Sequence, residues 1–156
     1  MSVNNRGAFI ALAIGVFLML STGAIIMYKQ RGLRNNNPGN IKKSSIKWRG
    51  MSKVQDDNTF VKFDRMEDGI NAMYKNLLAY KTKYGLDTVE KIINRWAPSS
   101  ENNTTAYVNS VSKSLGINPT DKLTLDRYPT LISAIIKHEN GVLLPSDVIS
   151  RGVNLA

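Results

Sequence analysis

The hydrophobic positions change period along the chain, and each period predicts an element. Residues 8–28, AFIALAIGVFLMLSTGAIIMY, carry no charge. At about 1.5 Å rise per residue, one helix of that length crosses the hydrocarbon core of a bilayer. Apolar residues continue past the small residues Thr22 and Ala24, and only Arg6 precedes the run, which favours an uncleaved anchor over a signal peptide. A polar stretch rich in Gly, Asn and Pro follows, KQRGLRNNNPGNIKKSS at 29–45, and reads as a loop. Two short runs, IKWRGM (46–51) and TFVKF (59–63), flank the polar SKVQDDN and predict a small β-hairpin.

Beyond residue 64 the period becomes helical. Asp64 followed by Glu67 is a capping signal, and Ile70, Met73, Tyr74, Leu77, Leu78 and Tyr84 form an apolar stripe over 66–84. A second helix is predicted over 88–95, carrying Val89, Ile92 and Ile93 and stopping before Pro98. A third covers 103–115, with Tyr107, Val108, Val111 and Leu115 inward and Gly116 as its cap. A fourth has Pro129 in its first turn, runs to about Asn140 and closes on Gly141. A short helix follows Pro145. The chain therefore divides into a membrane anchor, 1–30, and one mainly α domain with a small hairpin, 31–156, long enough for its own core.

Charge adds direction to this division. The chain has 21 Lys+Arg against 12 Asp+Glu, a net charge of +9, which suits anionic partners: nucleic acid, acidic lipid head groups or an anionic cell-wall polymer, among which charge alone does not choose. Lys29, Arg31, Arg34, Lys42 and Lys43 follow the apolar run, so the positive-inside rule puts the domain on the cytoplasmic side. With Lys47 and Arg49 they also form a juxtamembrane basic cluster of the kind drawn to anionic lipid. The absence of cysteine excludes disulfides and thiolate metal sites, and the single histidine, His138, excludes a histidine-rich zinc site. No metal or cofactor is expected. No phosphate-binding loop, dinucleotide fingerprint or Ser-His-Asp spacing occurs.

Four glutamates remain to be explained: Glu67, Glu90, Glu101 and Glu139. Glu67 and Glu90 lie in first helical turns, where capping and the helix dipole account for a carboxylate. Glu101 sits in a polar loop. Glu139 is different, because it follows Ile132, Ile135 and Ile136 at i, i+3, i+4, i+7, on one face of its helix. A helix C-terminus and an apolar stripe both disfavour negative charge there, which suits a proton donor. The alternative is that the stripe ends one turn early and Glu139 is solvated. NNNPGN is good turn chemistry or, alternatively, a wall of uncharged amides beside a sugar. Trp48, Trp96, Tyr80, Tyr84 and Tyr107 are either core residues or stacking platforms. Asp56 and Asp57 read first as turn residues.

Together the segments AIIKHENG (134–141), RNNNPGNI (34–41), DGINAMYKNLLAYKTKYG (68–85) and RWAPSSENNTTAYVNSV (95–111) resemble the lysozyme-like lytic transglycosylase superfamily, including its relatives among membrane-anchored phage and prophage virion proteins. In that superfamily the glutamate helix normally precedes the Asn-Pro loop. Here it comes last, as a circular permutation would arrange it. The resemblance implies a lysozyme-like (α+β) fold and Glu139 as the general acid/base, with Asn36, Asn37, Asn40, Tyr107 and Asn140 lining a glycan cleft. Asn140 stands where Ser or Thr usually follows the glutamate. The implied reaction cleaves the β-1,4 bond between N-acetylmuramic acid and N-acetylglucosamine in peptidoglycan, through one carboxylate. Hydrolysis would ask for a second carboxylate across the bond, from Asp56 or Asp57. The expected partners are peptidoglycan, a bilayer around residues 8–28 and other virion proteins; nucleic acid is not expected. The expected location is a virion's internal membrane or the bacterial cytoplasmic membrane. The rival reading is an anchored structural virion protein whose domain binds glycan, capsid or nucleic acid without catalysis.

Overall fold

A hydrophobic helix near the C-terminal end of the chain organises everything else. The computed structural model describes residues 30–99 and 103–155. The anchor expected over 8–28 lies outside the described residues, and among those described no helix is long and apolar enough to cross a membrane. The helices are α1 (Arg31–Arg34), α2 (Met66–Tyr84), α3 (Val89–Trp96), α4 (Thr104–Leu115), α5 (Tyr128–Asn140) and α6 (Ser146–Val153), with a 3-10 turn at Leu125–Arg127 leading into α5. Leu131, Ile132, Ile135 and Ile136 are wholly buried, and α5 packs against α1, α2, α4 and α6. Residues this apolar on several sides make a central helix rather than a surface one.

The helix boundaries follow from local chemistry. Thr88 caps α3 by accepting from the Lys91 N–H at 3.2 Å, and Asn103 caps α4 by accepting from the Ala106 N–H at 3.2 Å. Gly141 ends α5 in the left-handed region at φ 70, a conformation that costs glycine little. The capping signal at Asp64 is not used. Arg65 occupies the N-cap of α2 without a side-chain cap bond, and its guanidinium instead donates to Asp68 at 2.9 and 3.1 Å.

The α+β, lysozyme-like class with its β-hairpin is corrected by the structure. Among the described residues there is no strand and no sheet, only isolated bridges at Lys42–Phe60, Met51–Phe63 and Thr88–Lys122. Side chains intercept the backbone groups that a ladder would need. Gln55 donates to the Ser52 and Lys62 carbonyls and accepts from the Lys62 N–H at 2.9 Å. Asn37 donates to the Val61 carbonyl at 2.8 Å, and the Phe63 N–H goes to the Asn35 carbonyl at 2.8 Å. The TFVKF run thus pairs mainly with the Asn-rich loop and with Gln55. Local side-chain bonds of this kind compete with regular pairing.

Candidate active site at the end of α5

Each asparagine of the loop 35–40 has its own task. Asn35 donates to Asp57 at 2.8 Å. Asn36, in the left-handed region at φ 49, donates to the carbonyls of Phe63 and Asp64 at 3.0 and 3.1 Å. Asn37 is fully buried and donates to the Ile41 and Val61 carbonyls while accepting from the Ile41 N–H. Asn40, also left-handed at φ 50, is half-buried and turns its amide outward from the loop. Asparagine tolerates that backbone region better than most residues.

That amide meets the end of α5. Asn40 Nδ2 donates to Glu139 Oε2 at 2.9 Å, and the Tyr107 hydroxyl on α4 donates to Glu139 Oε1 at 2.8 Å. The carboxylate is half-buried and accepts one neutral donor on each oxygen, with no cation paired to it among the described residues. Two such bonds fix its rotamer and plane while leaving further lone-pair positions on both oxygens. Burial, followed by the neighbouring Glu139 charge, pushes the Tyr107 hydroxyl far up, so it stays a donor at any physiological pH. The His138 ring stacks on Tyr107 with centroids 3.6 Å apart. Partial burial pushes the imidazole down despite the opposing pull of Glu139, which keeps it neutral near pH 7.

Asn140 works behind the site. Its side chain is buried and donates to the Pro38 carbonyl at 2.7 Å and the Ile136 carbonyl at 3.1 Å, stitching α5 to the loop. Gly32 closes the back. A Cβ there would stand 2.8 Å from both Asn140 Oδ1 and Asn40 Oδ1, and 2.9 Å from the Asn37 carbonyl. The glycine therefore lets α1 approach the residues that aim Glu139.

Of the residues expected at the site, the structure brings together Glu139, Asn40 and Tyr107 in direct contact. Asn36, Asn37 and Asn140 are occupied inside the scaffold. Asp57 accepts five hydrogen bonds, from Arg31 Nε and Nη2, Asn35 and the Thr59 and Phe60 N–H groups. The Arg31 guanidinium holds its carboxyl far below the usual carboxylate range. Asp56 lies at the surface, paired with Lys62 at 3.0 Å. Sequence reasoning missed the Arg31–Asp57 clasp, the role of Gly32 and the stacked His138. Only the glycine beside an Asn-rich loop carried any signal.

The fold and site define a helical domain whose Glu139 carboxylate is oriented by two neutral donors. No protein-family model matches the chain. Over 114 residues it is 46% identical to Protein P5 of Pseudoalteromonas phage PM2, a stretch covering 71% of this chain and 71% of that protein. The chain belongs to the family of that bacteriophage protein.

Proposed function

We propose that this phage protein is a membrane-anchored, virion-associated lytic transglycosylase that opens the cell wall locally during entry. The observation that carries the reading is the Glu139 carboxylate held by Asn40 and Tyr107, two neutral donors from distant parts of the chain. In the reaction, protonated Glu139 gives its proton to the glycosidic oxygen as the bond from that oxygen to the anomeric carbon breaks. The resulting carboxylate takes the proton of the muramic acid's C6 hydroxyl while that oxygen bonds to the anomeric carbon. The product is a 1,6-anhydro sugar, and Glu139 ends protonated as it began. One carboxylate suffices. The engagement of Asp57 by five donors supports this route over hydrolysis, which would ask a second carboxylate to act as nucleophile or base.

The membrane side follows from charge. The basic residues after 8–28 favour a cytoplasm-facing domain. In a virion that encloses a membrane, such a domain ends on the outer face of the vesicle and meets the next cell's wall. Finding the domain in the periplasm by protease protection in infected cells would remove this part of the proposal.

A second reading is favoured by the same two bonds. Glu139 joins α4, α5 and the loop, so the carboxylate could serve as a structural tie in a virion protein without catalysis. The full chain in detergent, as wild type and Glu139→Gln, is incubated with purified peptidoglycan and the released fragments are weighed by mass spectrometry. Anhydro products from the wild type alone are expected. Reducing-end products would instead mean hydrolysis and return attention to Asp56 and Asp57. A folded wild type that released nothing would establish the structural reading.

A further inference from the structure

A groove of about 590 Å³ opens between α4 and α5, lined by Ser110, Lys113 and Ser114 on one side and Lys137 and His138 on the other. Tyr107, Ser110 and Ser114 follow one another at i, i+3, i+7 along the same face of α4. His138 lines the groove and stacks on Tyr107, whose hydroxyl holds Glu139, so one ring separates the groove from the residue that holds the carboxylate. Both lysines are exposed, and neither is paired with a carboxylate among the described residues. Elsewhere Arg31, Lys62, Arg65, Lys91 and Arg151 are held by acidic partners, so these two differ from the paired cations in being available to a ligand.

Two ammonium groups and the Ser110 hydroxyl around one groove make a receptor for carboxylate or phosphate oxygens, while the Ser114 hydroxyl donates to the Ser110 carbonyl at 3.0 Å. The neutral His138 contributes a ring face and a hydrogen bond without adding charge. Two positive charges beside a catalytic carboxylate also offset its repulsion of an incoming anion. We infer that this groove is a subsite for the acidic peptide substituent borne by the glycan, seating its free carboxylates on Lys113 and Lys137 while the sugar bond lies at Glu139. This rests on the proposed action on peptidoglycan and adds what selects the strand: glycan that still carries its peptides is preferred over stripped glycan.

The test separates binding from turnover. Muramyl-L-alanyl-D-glutamate, which bears free carboxylates, is titrated into the full chain in detergent by calorimetry, for wild type and Lys113→Gln/Lys137→Gln. Wild-type binding that weakens with salt, and falls roughly five- to tenfold in the double variant, is expected. In parallel, initial rates are compared on intact peptidoglycan and on glycan stripped of peptide by an amidase. The preference of the wild type for the peptide-bearing polymer should shrink in the double variant by a similar factor. Lys113→Arg/Lys137→Arg should restore both. Equal binding by wild type and double variant, or equal rates on the two polymers, would overturn the inference. Binding of duplex DNA with steep salt dependence, and none of the muramyl peptide, would overturn it in favour of nucleic acid. Peptide binding at the lysines without any glycan cleavage would leave the subsite standing and remove the catalytic proposal.

Discussion

Glu139 and Asp57 are two carboxylates anchored in one small domain, and they are held in opposite ways. Asp57 accepts five hydrogen bonds, two of them from one guanidinium, and its side chain is 8% exposed. Glu139 accepts two, from an amide and a phenol, and meets no cation among the described residues. The first carboxylate is neutralised and saturated, so it can only hold chain segments together. The second is oriented but keeps lone pairs for a proton or a ligand. On the proposed function, what separates the structural acid from the reactive one is not burial alone but the charge and number of its donors.

The comparison breaks most sharply at Glu139 itself. Glu139→Gln should lower glycan cleavage by roughly 100- to 10,000-fold, the range that one general acid/base supplies, while the unfolding midpoint barely moves. Asp57→Asn should show the reverse pattern. Had both variants lost activity equally at full stability, the distinction between the two acids would be void.

Tyr107→Phe sharpens the contrast on the Glu139 side. It keeps the ring against His138 and removes only the hydroxyl on Oε1. A fall in kcat of about tenfold is expected, from the loss of a hydrogen bond to a charged group, and the midpoint should shift little. An unchanged kcat would mean that Asn40 alone positions the carboxylate.

How much of this could be read from the residues depends on the range of the interaction. The stripes over 66–84 and 128–140 have helical period because their neighbours are local, and the helices follow. The suspicion of Glu139 rested on the same local face. The hairpin failed because Asn37 and Gln55 take backbone groups that periodicity leaves out of account. Asp57 looked like a turn residue because Arg31 lies 26 positions away, and no local pattern encodes that pairing. Asn140 was placed beside the ligand, yet its amide reaches back to Pro38, 102 positions earlier.

Gly32→Ala tests whether the back of the site is as tight as the distances imply. The added methyl group meets three polar atoms within 2.9 Å, so a loss of about 1–3 kcal/mol is expected by chemical denaturation. Activity per folded molecule should fall as well, since Asn40 is one of the displaced groups. Full activity would show that the loop can yield without moving its amide.

The smallest effect concerns acid. Asp57→Asn should cost about 1–2 kcal/mol at neutral pH, given that Arg31 is about half exposed. Because the folded carboxyl is held far below its unfolded value of about 3.9, its contribution is complete above that value. It is lost progressively as the pH falls below about 4. The gap between wild type and variant in denaturant midpoint should therefore be constant from pH 5 upward and narrow below pH 4. A gap that widened in acid would contradict the clasp.

The loop that aims Glu139 and the helix that carries it lie 99 residues apart, at opposite ends of the described domain. A ribosome releases Asn40 long before α5 exists. Until the final helices emerge, the nascent chain has a cradle and no acid, so translation order alone keeps the site unassembled. On the proposed function, a chain interrupted anywhere before Glu139 would have no acid with which to cleave a wall.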